Sequence, residues 1–205
     1  MTVFDRQWWE ERYRSAPALW SGRANAQLVA EVAELPPGRA LDAGCGEGGD
    51  AFWLAERDWD VVAVDISTVA LDRAAAEAER RGLSGRIRFE QADLTAWTPT
   101  GRYDLVTAAF LHPPSAVRGP LYARLAGAVA PGGTLLLVQH DPSDAAVVPR
   151  PDLPDLYATA EELAADLDPE QWDIITTAAR PRTVHHPEHG GEVTVHDAVL
   201  VARRH

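Results

Sequence analysis

The sequence contains no lysine, and all 19 of its basic residues are arginines. Catalysis through a Schiff base needs a lysine amine, so this covalent mechanism is excluded. The single cysteine, Cys45, has no partner for a disulfide within the chain, which favours a reducing compartment and predicts a cytoplasmic protein. No apolar run approaches the roughly 20 residues of a membrane-spanning helix, and residues 1–6 lack the pattern of a signal peptide.

Positive charge is scarce relative to negative charge, and the formal net charge is -12. An acidic protein is repelled by nucleic-acid phosphates and by anionic lipids, so we expect neither nucleic acid nor a membrane as a partner. A chain of 205 residues is long enough for one domain with its own hydrophobic core. The oligomeric state stays open between a monomer and a homodimer.

The central part of the chain alternates short apolar segments with amphipathic ones. Five segments have the composition of buried strands, namely 39–43, 60–65, 87–91, 103–108 and 134–138. The segments between them with a helical pattern are 49–57, 68–81 and 121–129. Strands that alternate with helices form a parallel sheet with helices on both faces.

Different patterns flank this region. Two helices are predicted before it, at 4–16 and 23–35, and a third after it, at 160–168. Two last strands, 172–179 and 192–203, are joined by a Gly-Gly-bearing connection and predict an antiparallel hairpin. The predicted fold is therefore α/β and Rossmann-like, a doubly wound, mostly parallel seven-stranded sheet with a C-terminal antiparallel hairpin.

A glycine-rich loop follows the first predicted strand. Gly44, Gly46 and Gly49 fit the dinucleotide fingerprint G-x-G-x-x-G, and Asp65 ends the second strand 21 residues after Gly44. Glycines at this point let the backbone turn tightly and let a ligand approach it closely. One interpretation is an NAD-dependent oxidoreductase in which Asp65 binds the ribose hydroxyls.

Three features favour a cationic, adenosine-bearing ligand instead. Asp42 and Glu47 lie beside the loop, where carboxylates oppose a pyrophosphate but suit a positive amino-acid ligand. Asp93 follows the third strand, where it can accept a hydrogen bond from an adenine amine. About 40 residues precede the loop, whereas dinucleotide folds often begin at their first strand.

These segments resemble the motifs of class I S-adenosylmethionine-dependent methyltransferases. The resemblance lies in Leu41 to Gly48 for motif I, Val61 to Ser67 for motif II, Ala92 to Leu94 for motif III, and Pro131 to Leu135 before the fifth strand. The N-terminal Trp8-Trp9-Glu10-Glu11-Arg12-Tyr13 and Trp20 are loosely similar to the small-molecule branch that includes tellurite-resistance and thiopurine methyltransferases. The resemblance implies methyl transfer from S-adenosylmethionine to an O, N, S or chalcogen atom of a small-molecule substrate. A non-catalytic relative that keeps the fold and binds the cofactor is a further alternative.

The resemblance also implies roles for individual residues. Asp65 would accept from both ribose hydroxyls, and Asp93 would bind the adenine amine. The methionine portion of the cofactor would lie on Asp42, Ala43, Gly44, Cys45, Gly46 and Gly48. The adenine would pack on Ile66 and Leu94, the sulfonium would lie near Ala109 and Phe110, and the N-terminal side would be closed by Tyr13 and Trp20.

Histidines supply the candidate catalytic groups. His112 follows the fourth predicted strand and His140 the fifth, and a neutral imidazole is a suitable general base near pH 7. A second group near the C-terminus comprises His185, His186, His189 and His196, for which we favour a role in the pocket wall over metal binding. Arg180 and Arg182 offer a site for an acidic substrate as an alternative. We therefore predict no metal site.

The predicted organisation is one domain over residues 1–205. Residues 1–36 form an N-terminal helical lid, and 37–140 form the cofactor-binding core. Prolines recur in the segment that follows without a clear period, so 141–159 is predicted to be a substrate lid loop. Residues 160–205 supply the last helix and the β-hairpin.

Overall fold

The computed structural model describes residues 5–148, 156–186 and 190–205. The helices are α1 (Arg6–Arg14), α2 (Ala26–Val32), α3 (Gly49–Ala55), α4 (Thr68–Arg80), α5 (Ser115–Gly127) and α6 (Ala160–Ala164), with a 3-10 helix at Pro142–Ala146. The strands are β1 (Arg39–Ala43), β2 (Asp60–Asp65), β3 (Ile87–Gln91), β4 (Tyr103–Ala109), β5 (Val129–His140), β6 (Trp172–His185) and β7 (Glu192–Arg204). All of the predicted elements are present.

The seven strands form one sheet in the order β3-β2-β1-β4-β5-β7-β6. Strands β1 to β5 pair in parallel, whereas β7 pairs antiparallel with both β5 and β6. The predicted fold class is thus confirmed. The chain runs outward from β1 to β3 and then returns to β4 beside β1, so the strand order reverses between β1 and β4. Ligands of open α/β sheets bind in the crevice at such a reversal, beyond the carboxyl ends of the strands.

The core has two layers because side chains alternate between the faces of a strand. In β2, Val61 and Ala63 pack in one hydrophobic cluster, and Val62 and Val64 pack in the other. Both faces are covered, which explains why the parallel strands read as continuous apolar runs. The two layers make the sheet a rigid base for the loops at its carboxyl edge.

Several elements extend beyond their predicted bounds. Helix α5 begins at Ser115 and contains Pro120, so it starts six residues before the predicted position 121. Strand β5 begins at Val129, five residues before the predicted position 134, and includes the Pro-Gly-Gly sequence that was expected to precede the strand. The β4–β5 register shifts between Tyr103 and Leu105, and this irregularity accommodates the extra residues within the strand.

The C-terminal hairpin is longer than predicted. Strand β6 continues to His185 and pairs with β7 along its whole length, although it contains Pro181. It is the outermost strand of the sheet, and proline is tolerated at such an edge because its missing N–H faces no neighbouring strand. Helix α6 ends at Ala164, four residues before the predicted end. In the described ranges, no helix has the length and apolar character needed to cross a membrane.

Candidate functional site

A cavity of about 480 Å³ opens at the carboxyl ends of β1, β2 and β4. This volume lies within the range of small-ligand sites. The predicted site residues that line it are Tyr13, Trp20, Asp42, Gly44, Cys45, Gly46, Asp65, Ile66, Asp93, Leu94, Ala109, Phe110 and His112. Three others, Ala43, Gly48 and His140, lie outside its wall. The residues singled out from five separate segments therefore converge on one cavity.

The glycine loop is held against the end of β2. The N–H groups of Gly44 and Cys45 both donate to the carbonyl of Val64, at 2.8 and 3.0 Å. Gly44 and Gly46 adopt φ values of 80° and 53°, in the left-handed region that glycine enters without steric cost. Gly48 has a φ of 88°, and its Cα faces Phe52 and Ala74 rather than the cavity. Its glycine is therefore required by core packing.

Three carboxylates stand at the loop end of the cavity: those of Asp42 and Asp65 are buried, and that of Asp50 is half-buried. Burial, together with the neighbouring Asp50 and Asp65, raises the pKa of Asp42 well above its usual value. Burial also raises the pKa of Asp50 to about 6, against the effect of a hydrogen bond from the Asn25 N–H. Over the described ranges, Oδ2 of Asp42 accepts no hydrogen bond, and no arginine or histidine forms an ion pair with the three carboxylates.

We call these three residues the acidic cluster. Asp50 is the member that sequence reasoning missed, although its place in the first turn of α3, directly after the glycines, was visible. Uncompensated buried carboxylates are costly, and a cation bound in the cavity would relieve that cost. A pyrophosphate placed there would increase it.

Asp65 joins the glycine loop to the start of α4. Its Oδ2 accepts from the Gly46 N–H and its Oδ1 from the Ser67 N–H, both at 2.9 Å. Burial raises the pKa of Asp65, and these hydrogen bonds oppose the rise. Ser67, rather than Asp65, caps α4. Asp65 is thus fixed at the end of β2 with its carboxylate at the cavity wall.

Asp93 lines the cavity from the turn after β3. Its Oδ1 accepts from the N–H and the hydroxyl of Thr95, at 2.9 and 2.7 Å. Arg124 donates to the carbonyls of Leu94 and Thr95 and fixes this turn from below. Asp93 is exposed while Leu94 is buried, so the turn presents a carboxylate beside an apolar surface.

The N-terminal segment is tied to the glycine loop. Glu47 accepts from the N–H groups of Leu19 and Trp20, at 2.9 and 3.1 Å, and forms an ion pair with Arg73 at 2.8 Å. Arg73 also donates to the carbonyls of Tyr13 and Ala16, at 2.9 Å each. Glu47 therefore holds the N-terminal segment in place. Its sequence position had suggested that it acts with Asp42, but it is not part of the acidic cluster.

Two aromatic residues of this segment close over the loop. The indole N–H of Trp20 donates to the Tyr13 hydroxyl at 3.2 Å. A Cβ at Gly46 would lie 3.0 Å from that hydroxyl and 3.4 Å from the Trp20 nitrogen. Tyr13 is buried, whereas Trp20 is half exposed. The absence of a side chain at Gly46 is what allows this approach.

We predict that Arg73→Gln loosens the N-terminal segment without unfolding the core. The substitution removes the three contacts that Arg73 makes with Tyr13, Ala16 and Glu47. Amide hydrogen exchange at residues 13–20 should rise by about tenfold or more, the loss expected for about 1.4 kcal/mol of local stability. Arg80→Gln is the control, since Arg80 lies on the same helix and pairs only with Glu77 at the surface. Unchanged exchange at 13–20 in Arg73→Gln contradicts the tie.

The end of the cavity beyond β4 has a different character. Phe110 has a φ of 55°, which is rare for a residue with a side chain, and its N–H donates to Val138 at 2.7 Å. Strained backbone of this kind is concentrated at functional sites. The Phe110 and His140 rings stack with centroids 4.4 Å apart, and His112 stacks on His140 at 4.9 Å. His112 lines the cavity, and His140 packs behind it.

The basic residues of the hairpin are paired with carboxylates. Arg182 donates through Nε to both oxygens of Asp197, at 2.8 and 3.0 Å, and both residues line the cavity. Arg180 pairs with Glu31 outside the cavity wall. Sequence reasoning missed Asp197, whose role depends on β6–β7 pairing that brings Arg182 beside it.

The hairpin histidines are separated from one another. His196 bonds Asp144 at 3.0 Å, and His186 contacts the carbonyl of Val147 at 3.1 Å. His185 is exposed, and His189 lies outside the described residues. Within the part of the chain that the structure describes, no group of three or more His, Cys, Asp or Glu side chains is placed to hold a metal ion.

The fold and the cavity indicate the class of protein that this chain resembles. Residues 40–133, from β1 into β5, match the family model described as a methyltransferase domain. The resemblance to class I S-adenosylmethionine-dependent methyltransferases is thereby confirmed over this central part of the chain.

Particular relatives can then be named. The chain is 38% identical over 124 residues to the trans-aconitate 2-methyltransferase of Sinorhizobium fredii, a match that covers 60% of this chain and 46% of the relative. It is 31% identical over 134 residues to the probable thiol methyltransferase 2 of Arabidopsis thaliana, covering 62% of this chain and 59% of that protein. The chain thus spans about half the length of the curated relatives it matches.

Solved structures resemble the whole chain. One, from work on the conversion of a disulfide bond into a thioacetal group during echinomycin biosynthesis, has a TM-score of 0.75 at 27% identity and covers 98% of this chain and 90% of that one. TehB from Haemophilus influenzae also has a TM-score of 0.75, at 18% identity, covering 98% and 67%. A magnesium protoporphyrin IX methyltransferase from Synechocystis, solved with bound S-adenosylmethionine, has a TM-score of 0.61 at 22% identity, covering 88% and 76%. These similarities extend the shared fold to the C-terminal hairpin.

Proposed function

We propose that this protein binds S-adenosylmethionine in the cavity and transfers its methyl group to a small-molecule acceptor. The observation that carries the proposal is the acidic cluster, in which the buried Oδ2 of Asp42 has no hydrogen-bond donor in the described residues. A cofactor with an ammonium and a sulfonium supplies the positive charge that this end of the cavity lacks.

Residues that line the cavity would make the remaining contacts with the cofactor. Asp42 would hold the ammonium, and Asp65 would accept from the ribose hydroxyls. The free Oδ2 of Asp93 would accept from the adenine amine while its Oδ1 keeps the turn to Thr95. Backbone of Gly44 and Gly46 would lie against the methionine portion. Ala43 and Gly48 would act through the shape of the loop, since neither lines the cavity.

The chemistry needs position more than covalent catalysis. When bound, the cofactor would supply a methyl group activated by its sulfonium for in-line transfer to a lone pair of the acceptor, and S-adenosylhomocysteine would leave. Where the acceptor begins as a neutral hydroxyl or thiol, we propose that the His112 imidazole takes its proton. His140 would support the His112 ring from behind, through the stacking contact.

Relatives support the small-molecule acceptor in general terms only. Their names include trans-aconitate, a thiol and thiocyanate, which share little chemistry. We further propose that the enzyme is cytoplasmic, and that residues 1–36 and 141–159 cover the cofactor and acceptor sides. Part of the second lid, 149–155, lies outside the described residues.

The test is calorimetry with S-adenosylhomocysteine and, separately, with NADH. We expect micromolar binding of S-adenosylhomocysteine and none of NADH, because the three carboxylates of the acidic cluster repel a pyrophosphate. Binding of NADH alone would establish the oxidoreductase alternative. Transfer of labelled methyl to any member of a panel of thiols, phenols and carboxylic acids would exclude the non-catalytic alternative, whereas cofactor binding with no transfer would support it.

A further inference from the structure

The acceptor end of the cavity has an internally balanced charge. Arg182 and Asp197 both face it, and each neutralises the other through two hydrogen bonds. Asp197 is 2% exposed and also lies 3.4 Å from the Gln27 amide, so its carboxylate is fully committed. His140 completes this group, with Nδ1 3.5 Å from the Arg182 guanidinium and 4.0 Å from Asp197.

Neither Arg180 nor Arg182 is available to an acidic acceptor at this end of the cavity. Arg182 is held by Asp197, and Arg180 is held by Glu31 outside the cavity. A carboxylate entering the described part of this end would meet Asp197 without gaining an ion pair from Arg180 or Arg182. Removal from water would then cost it free energy with no compensation.

The same end presents a row of aromatic rings. Phe110, 37% exposed, stacks on His140, which stacks on His112, and Tyr157 meets His112 edge-on with centroids 5.3 Å apart. The guanidinium of Arg182 lies 5.5 Å from the Phe110 ring centroid. Pro113, Pro114 and Leu121 continue the wall. Rings held in this way offer flat apolar surface at little entropic cost.

We infer that this subsite takes an uncharged aromatic acceptor, and that Asp197 is the residue that excludes anionic acceptors by neutralising Arg182. The inference rests on the proposed function, since it assigns the acceptor of the same cavity. Specificity of this kind comes from what the site withholds from the wrong ligand as much as from contacts to the right one.

The wild-type protein tests the first part of the inference, the preference for an uncharged aromatic acceptor. With S-adenosylhomocysteine at saturation, calorimetry is performed with 2-naphthol, with 6-hydroxy-2-naphthoate and with the tricarboxylate trans-aconitate. We expect 2-naphthol to bind about tenfold or more tightly than the naphthoate, and trans-aconitate not to bind. Equal or tighter binding of either anion overturns the inference, as does failure of 2-naphthol to bind. Failure of S-adenosylhomocysteine itself to bind would instead refute the proposed function.

Asp197→Asn tests the second part, the role of Asp197 in excluding anions. The substitution leaves the Arg182 charge facing the cavity without its partner. The naphthoate should gain about tenfold in affinity relative to 2-naphthol. Asp173→Asn is the matched control, since it removes the same charge from the exposed side of β6 and should leave the ratio unchanged. An unchanged ratio in a folded Asp197→Asn overturns the role of Asp197. Should that variant not fold, Arg182→Gln, which removes the cation itself, must leave the wild-type preference for 2-naphthol in place, and a reversed preference overturns the inference.

Discussion

Replacing Asp65 by alanine should weaken binding of S-adenosylhomocysteine by about 100-fold or more. The carboxylate lies buried at the end of β2, where it lines the cavity and is held by the Gly46 and Ser67 N–H groups. Each hydrogen bond between a ligand hydroxyl and a buried charged group contributes about 1.5–3 kcal/mol, and Asp65 is placed to make two. Its loss also removes the hydrogen bond that fixes Gly46.

Titration calorimetry of the folded variant is the measurement, and circular dichroism establishes that the sheet is intact. Asp72→Ala is the matched control, because Asp72 lies seven residues further along the chain, exposed on α4. A loss of less than about fivefold in Asp65→Ala would show that the ribose is held elsewhere. An equal loss in Asp72→Ala would show that net charge, rather than the Asp65 position, governs binding.

The second large effect is expected from Gly48→Ala, which should lower the free energy of unfolding by about 2–5 kcal/mol. A left-handed backbone costs a residue with a Cβ about 1–2 kcal/mol, and overpacking of a core adds about 1–3 kcal/mol. A Cβ at Gly48 would lie 2.7 Å from Cζ of Phe52 and 3.2 Å from Cβ of Ala74. Phe52 is 2% exposed, so neighbouring atoms leave it little room to move.

Gly82→Ala separates the two contributions. Gly82 has a similar φ of 72°, but nothing lies within 4 Å of a Cβ placed there, so only the backbone cost applies. Urea unfolding of both variants should give a clearly larger loss for Gly48→Ala. Equal losses would mean that the Phe52 contact relaxes and that the loop, rather than the core, requires this glycine.

The order of elements was predictable because it depends on local periodicity. Strand β2 reads as a continuous apolar run since both of its faces are covered, and the loop after β1 carries glycines where the backbone turns left-handed. The convergence of Asp42, Asp65 and Asp93 on one cavity was equally predictable, because Asp42 and Asp65 lie at the carboxyl ends of β1 and β2 and Asp93 follows β3. Carboxyl ends of parallel strands meet at one edge, so sequence position implies proximity there.

The features that could not be predicted from the sequence depend on contacts between distant segments. Arg73 reaches from α4 to residues 13 and 16, and Arg182 meets Asp197 only through the pairing of the two hairpin strands. Glu47 was expected to act beside Asp42, but in the structure its carboxylate forms an ion pair with Arg73. The bounds of α5 and β5 were missed for a related reason, since tertiary packing overrides the turn preference of Pro and Gly.

The acidic cluster also sets stability and activity in competition. Burial raises the pKa values of its carboxyl groups, so the folded state holds their protons more tightly than the unfolded chain does. The empty fold therefore loses stability as pH rises above the usual value of 3.8, and for Asp50 this loss levels off above about 6. Engineering that selects for heat resistance alone would favour neutral replacements at these positions. A more durable protein obtained in that way would have lost the charge that we propose binds the cofactor.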